Sequence, residues 1–153
     1  GRLPGMKKHP ASPVWPDGPC PCGRSDAATG RPLSGAACCG RYIGHFADVP
    51  APDAESLMRS RYTAFVREDV DYLLHTWHAD TRPPTLTCEA GMRWLGLEVR
   101  DVHVADACHA EVEFVARSRL QGRASRLHER SRFVREPDAQ SVWRWSYVDG
   151  ELS

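Results

Sequence analysis

Only two of the 20 basic residues are lysines, Lys7 and Lys8, and neither sign of charge is in excess, since Lys+Arg 20 balance Asp+Glu 20. No global field draws the chain toward nucleic acid or anionic lipid, so any such partner needs a local patch. No uncharged apolar run approaches the roughly 18 residues of a membrane-crossing helix. The basic start Met6-Lys7-Lys8 is not followed by an apolar stretch, so it does not read as a secretory signal. A nucleophile elbow, a phosphate loop and a dinucleotide fingerprint are also missing.

What remains is an ordinary folding composition: 153 residues, 41% hydrophobic and 26% charged. That suits one domain plus a small appendage. Residues 1–15 are expected to be a disordered or added tail, with a natural start at Met6. The reducing cytoplasm is the expected compartment, and it governs how the cysteines are read.

Four of six cysteines crowd into one Pro- and Gly-rich stretch: Cys20 and Cys22 in Pro19-Cys20-Pro21-Cys22-Gly23, Cys38 and Cys39 in Ala36-Ala37-Cys38-Cys39-Gly40. Two short turns bearing two thiolates each can build a tetrahedral four-cysteine site for structural Zn²⁺, with no position left open for substrate. The alternative is a pair of disulfides, which the cytosol disfavours and which strains sequence neighbours such as Cys38 and Cys39. Cys88 and Cys108 stand apart. Cys108 shares strand parity with Ala110, Val112, Phe114 and Ala116 and reads as a small buried hydrophobe.

Past Pro50 and Pro52, Asp53 can cap a helix carrying Leu57, Met58, Arg61, Tyr62 and Phe65 at helical spacing. A second helix from Asp69 carries Val70, Leu73, Leu74 and Trp77 and ends before Pro83. A short helix is expected over 89–94. From Leu97 the pattern becomes strands: a parity switch predicts a bulge near Arg100-Asp101, and further strands fall at 107–119, 123–136 and 141–148. Helices followed by consecutive strands argue an α+β fold with a curved antiparallel sheet.

These residues resemble the bacterial YchJ-like family. The resemblance rests on the cysteine pattern with Cys38-Cys39-Gly40-Arg41-Tyr42, on Leu57 to Phe65, on Tyr72-Leu73-Leu74 and Thr76-Trp77-His78, on His128 to Phe133 and on Trp145 to Gly150. It implies a SEC-C-like zinc module over 16–48 and a cone-shaped nuclear-transport-factor-2-like domain over 49–153. The loop from Arg24 to Gly35 departs from the shorter, Lys- and aromatic-bearing loop usual in that motif.

Cavity candidates follow from parity and from this resemblance: Arg61, Tyr62, Trp77, His78, Glu129 and Ser131. In 126–134, Leu127 and Phe133 define the apolar parity and turn Glu129 and Ser131 inward. An inward carboxylate needs a partner, either Arg61 in a buried ion pair or a substrate for which Glu129 is general acid or base. His75 and His78, near Asp80, are weak candidates for a second metal site. His9, His45, His103 and His109 read as exposed or structural. Arg126, Arg130 and Arg132 with His128 form an outward cationic face, open to RNA, the ribosome or an acidic protein, or else merely solvated. Two functions stand at this point: a non-enzymatic adaptor for a protein or ribosomal partner, or a small enzyme or small-molecule binder that uses the cavity.

Overall fold

The computed structural model describes residues 14–153, so all but the last two residues of the expected 1–15 tail lie outside them. Helix α1 (Ala54–Arg67) starts where the Asp53 side chain accepts from Ser56 N at 2.7 Å, an N-cap that satisfies an otherwise orphaned amide. It stops at Glu68, which takes the left-handed conformation at φ 58. Helix α2 (Val70–His75) is capped by Asp69, whose side chain accepts from Tyr72 N at 3.1 Å. Four antiparallel strands follow in simple order: β1 (Arg93–Asp106), β2 (His109–Leu120), β3 (Arg123–Pro137) and β4 (Trp143–Leu152). This is the α+β arrangement expected, helices packed on an antiparallel open sheet.

The expected bulge is present, since the β1–β2 register slips between Val99 and Asp101. Two more slips, between Trp94 and Gly96 and between Val104 and Asp106, accompany it. Such irregularities increase local twist and bend a strand. The β2 side chains Ala110, Val112, Phe114 and Ala116 alternate inward and meet Leu57, Met58 and Tyr62 of α1, with Phe133 of β3 beside them.

Three local expectations fail. Trp77 is not helical: α2 ends at His75, and Trp77 instead bridges Tyr147 of β4, with His78 N donating to Tyr147 O at 2.7 Å and Tyr147 N to Thr76 O at 2.8 Å. Sheet bonds along β4 outweigh another helical turn. Residues 89–94 form no helix; Arg93 and Trp94 begin β1. Cys108 is only half-buried, because it falls in the β1–β2 turn, outside the strand whose parity was extended to it.

One arginine ties the N-terminal segment to the sheet. Arg144 of β4 donates to the carbonyls of Phe46 and Ala47, pairs with Asp138 at 2.7 Å and lies 4.5 Å over the Phe46 ring. Arg144→Ala leaves those carbonyls without their charged donor and should cost about 2 kcal/mol in a urea titration. Arg144→Lys should recover less than half of that, because an ammonium cannot reproduce the planar fork.

Candidate metal centre and ligand cavity

The first cysteine pair sits at the mouth of a small hairpin. Cys20 N donates to Leu33 O at 2.7 Å, Leu33 N to Arg24 O at 3.0 Å, and Gly23 takes φ +79, so the chain reverses directly after Cys22. Asp26 closes the hairpin tip, accepting from Ala28 N and Thr29 N. The second pair opens a single 3-10 turn, Cys39–Arg41. Gly35 and Gly40 are small because Trp15 lies on them: an added Cβ would come within 2.6 Å of the indole at Gly35, and at Gly40 within 2.9 Å of it and 2.8 Å of Gly35 O. Trp15, read from sequence as part of the tail, is therefore packed into this module.

All four sulfurs are buried, at 0–3% residue exposure, and lie within 4.8 Å of one another. Cys22 and Cys38 Sγ are 3.6 Å apart. Tetrahedral coordination with arms of about 2.3 Å requires sulfur–sulfur edges of roughly 3.8 Å, so the arrangement can hold one metal ion. No disulfide joins the described cysteines. The thiols perturb one another strongly. Hydrogen bonds with Cys22, Cys38 and Cys39 hold Cys20 far below the ordinary thiol range, while hydrogen bonds with Cys20 first, and burial in addition, push Cys38 and Cys39 far above it. All four can become thiolates at this spacing only with a cation among them.

The cluster docks on α1. Thr63 Oγ1 donates to Cys39 Sγ at 3.2 Å, Arg59 Nη1 to Cys22 O at 2.9 Å, and Arg24 Nη1 reaches Ser56 Oγ at 2.8 Å. The cysteines belong to the same buried apolar cluster as the α1–sheet core, so the two regions share one interior.

On the other side of α1, between the helix and the sheet, lies a cavity of about 310 Å³. Its lining includes Arg61, Tyr62, Trp77, Glu129 and Ser131, five of the six residues named from sequence; His78 is not among them. His78 instead bonds Glu136 of β3 at 2.9 Å. The remaining wall is apolar and aromatic. Tyr62 and Phe65 pack on Trp94 at centroid distances of 5.6 and 5.9 Å, while Tyr147 packs on Trp77 and Phe133 at 5.1 and 5.9 Å. Trp94 and Tyr147 were not singled out from sequence. Trp94 was read as helical, and the inward position of Tyr147 depends on the slip between Arg132 and Phe133 in the β3–β4 register.

Arg61 and Glu129 form no ion pair. Arg61 Nη1 donates to Leu73 O and Thr76 Oγ1, each at 2.7 Å, whereas Glu129 Oε2 accepts from Ser131 Oγ at 2.7 Å and lies 3.5 Å from Tyr147 OH. The second metal site also fails: His75 stacks on Phe46 at 5.1 Å while His78 turns to Glu136. The Cys cluster is the only group of at least three potential ligands found among the described residues. Arg130, Arg132 and His128 of the outward cationic face are paired across strands, while Arg126 is exposed and has no ion pair among the described residues. Arg130 pairs with Glu111, Glu113 and Asp101, Arg132 with Asp149 and Glu151, and His128 with Glu113.

Buried phenols give the fold an alkaline limit. Burial pushes Tyr62 and Tyr147 up to about 12 and raises Tyr72 as well. Folded tyrosines keep protons that the unfolded chain releases near pH 10, so their stabilisation is complete below about 10 and is lost as the pH climbs toward 12. Arg61, lowered to about 10 by desolvation, acts in the opposite sense over the same window. Three phenols should outweigh one guanidinium: the melting temperature should fall steadily above pH 10, with phenolate absorbance lagging that of the denatured chain.

Residues 53–150 match a family model described as the YchJ middle NTF2-like domain. A UPF0225 protein of Polaromonas sp. is 61% identical, the match covering 90% of this chain and 96% of the relative. One from Bordetella pertussis is 51% identical over 96% and 99%. Among solved structures, a SEC-C motif protein from Psychrobacter arcticus superposes with a TM-score of 0.72 at 30% identity, covering 88% of this chain and 82% of that one. Another from Rhodopseudomonas palustris gives 0.68 at 29%, over 88% and 98%.

Proposed function

This chain belongs to the YchJ-like family, grouped as UPF0225, and from that premise we propose a zinc-braced protein that binds a small organic molecule. Cys20, Cys22, Cys38 and Cys39 hold a structural Zn²⁺. A buried set of four thiol donors within 4.8 Å of one another favours that ion and leaves it no open position for chemistry. Such thiols are useful where they stay reduced, which assigns the protein to the cytoplasm.

The observation that carries the binding role is the cavity itself. It is aromatic, about 310 Å³ in volume, and has a few polar side chains converging on it, Arg61, Glu129 and Ser131. That is the composition of a small-molecule site. An adaptor role toward a protein or ribosomal partner has less support, because of Arg126, Arg130 and Arg132, which with the cysteine module suggested it, two are already paired. The test is titration with the neutral fluorophore N-phenyl-1-naphthylamine, monitored also by the indole resonances of Trp77 and Trp94. One saturable site per chain that moves those resonances is expected; no saturable binding would end this reading.

A further inference from the structure

The nature of the ligand, given that the cavity is a binding site, follows from one cation. Arg61 lines the cavity at 6% exposure. Burying a guanidinium is costly unless a counter-charge accompanies it. Its two hydrogen bonds go to neutral oxygens and involve a single nitrogen, Nη1, out of a group with five N–H donors. Its carbon stands 4.6 Å from the Tyr147 ring centre and 5.2 Å from that of Trp77, contacts that orient the guanidinium without neutralising it. It forms no ion pair with any described residue.

A carboxylate is available in the same cavity and is held away. Glu129 is bound to Ser131, and its head lies against Gly150 of β4, where an added Cβ would stand 2.1 Å from Oε2. Glycine inside a strand weakens it and marks a close approach. Here the approaching group is the Glu129 carboxylate, and Tyr147, whose ring faces Arg61 and whose hydroxyl faces Glu129, stands between the two charges. The cavity thus offers one cation with no ion-pair partner among the described residues, aromatic walls, and one carboxylate held apart from it that acts on the cation only at a distance.

We propose that the cavity takes a small organic monocarboxylate with an aromatic or branched apolar body, its carboxylate paired with Arg61 and its body against Tyr62, Phe65 and Trp94. Glu129 makes the site selective, because a second negative charge on the ligand would meet it.

The test is displacement of N-phenyl-1-naphthylamine by three probes of one shape: 3-phenylpropionate, 3-phenylpropanol and 3-phenylpropylamine. The acid should displace at least tenfold better than the alcohol or amine, and phenylsuccinate, with two carboxylates, should be weaker than the mono-acid. Arg61→Met should abolish the preference for the acid while still binding the fluorophore, and Arg61→Lys should keep the ranking at lower affinity. If Arg61→Met does not fold, the guanidinium resonance of Arg61 in the unsubstituted protein decides, since it must shift with 3-phenylpropionate. Equal displacement by acid and amine, an unmoved guanidinium, or a ranking that survives Arg61→Met would overturn the proposal. Those failures leave fluorophore binding intact, whereas failure of the cavity reading removes it.

Discussion

Cys39→Ser should leave the protein without stoichiometric metal and release the segment from Trp15 to Asp48 while the sheet stays folded. Cys39 ties the cluster to the core: it is 1% exposed, opens the 3-10 turn, and accepts from Thr63 of α1. A structural zinc supplies on the order of 10 kcal/mol to a module that cannot fold without it, and a three-thiolate remnant keeps only part of that. The hairpin has few apolar side chains of its own to replace the loss. Elemental analysis should fall from about one metal per chain to near zero. Hydrogen exchange should lose protection over residues 14–48 and keep it in β2 and β3. Retention of one metal per chain with unchanged protection would show that the fourth thiolate is dispensable and that metal does not organise this segment.

Phe133→Ala should have the next largest effect, about 3–5 kcal/mol, or on the order of 10 °C in melting temperature. Phe133 is 2% exposed on β3, packs edge-on to Tyr147 and pairs in register with Ala110 of β2. Because it also lines the cavity, its removal extends a space that already exists, and the neighbouring rigid strands have little means to collapse into it. Calorimetry measures the destabilisation. A loss below about 1 kcal/mol would mean that the aromatic wall is adaptable and that the cavity volume seen here is not fixed.

Elements defined by local spacing were legible in the sequence. Leu57, Met58, Tyr62 and Phe65 recur at helical intervals behind a capping Asp53, and α1 follows them closely. The parity change around Arg100 marked a real bulge, and paired Cys-bearing turns announced a cluster that needs only four sulfurs to converge. Features that depend on distant neighbours were not legible. Trp77 leaves its helix because β4, some seventy residues later, supplies a better set of backbone partners. Arg130 and Arg132 look like a cationic stripe along one strand, but their carboxylates lie on β1, β2 and β4. The separation of Arg61 from Glu129 depends on a third party, Gly150. A glycine directly after Tyr147-Val148-Asp149 was the one clue present in the chain.

The irregular β1 has a consequence for solution behaviour. The fourteen-residue β1 is the first strand of an open four-stranded sheet, and beyond Gly96 and Leu97, which Tyr62 and Gly23 approach, its margin carries Val102 and Val104 facing solvent. A straight margin of that length would template pairing with another molecule. Three breaks in its ladder, with Glu98, Arg100, Asp101 and His103 among them, interrupt the row of amides before a stranger can match it. The same kinks that curve the wall of the cavity thereby guard the protein against sticking to itself.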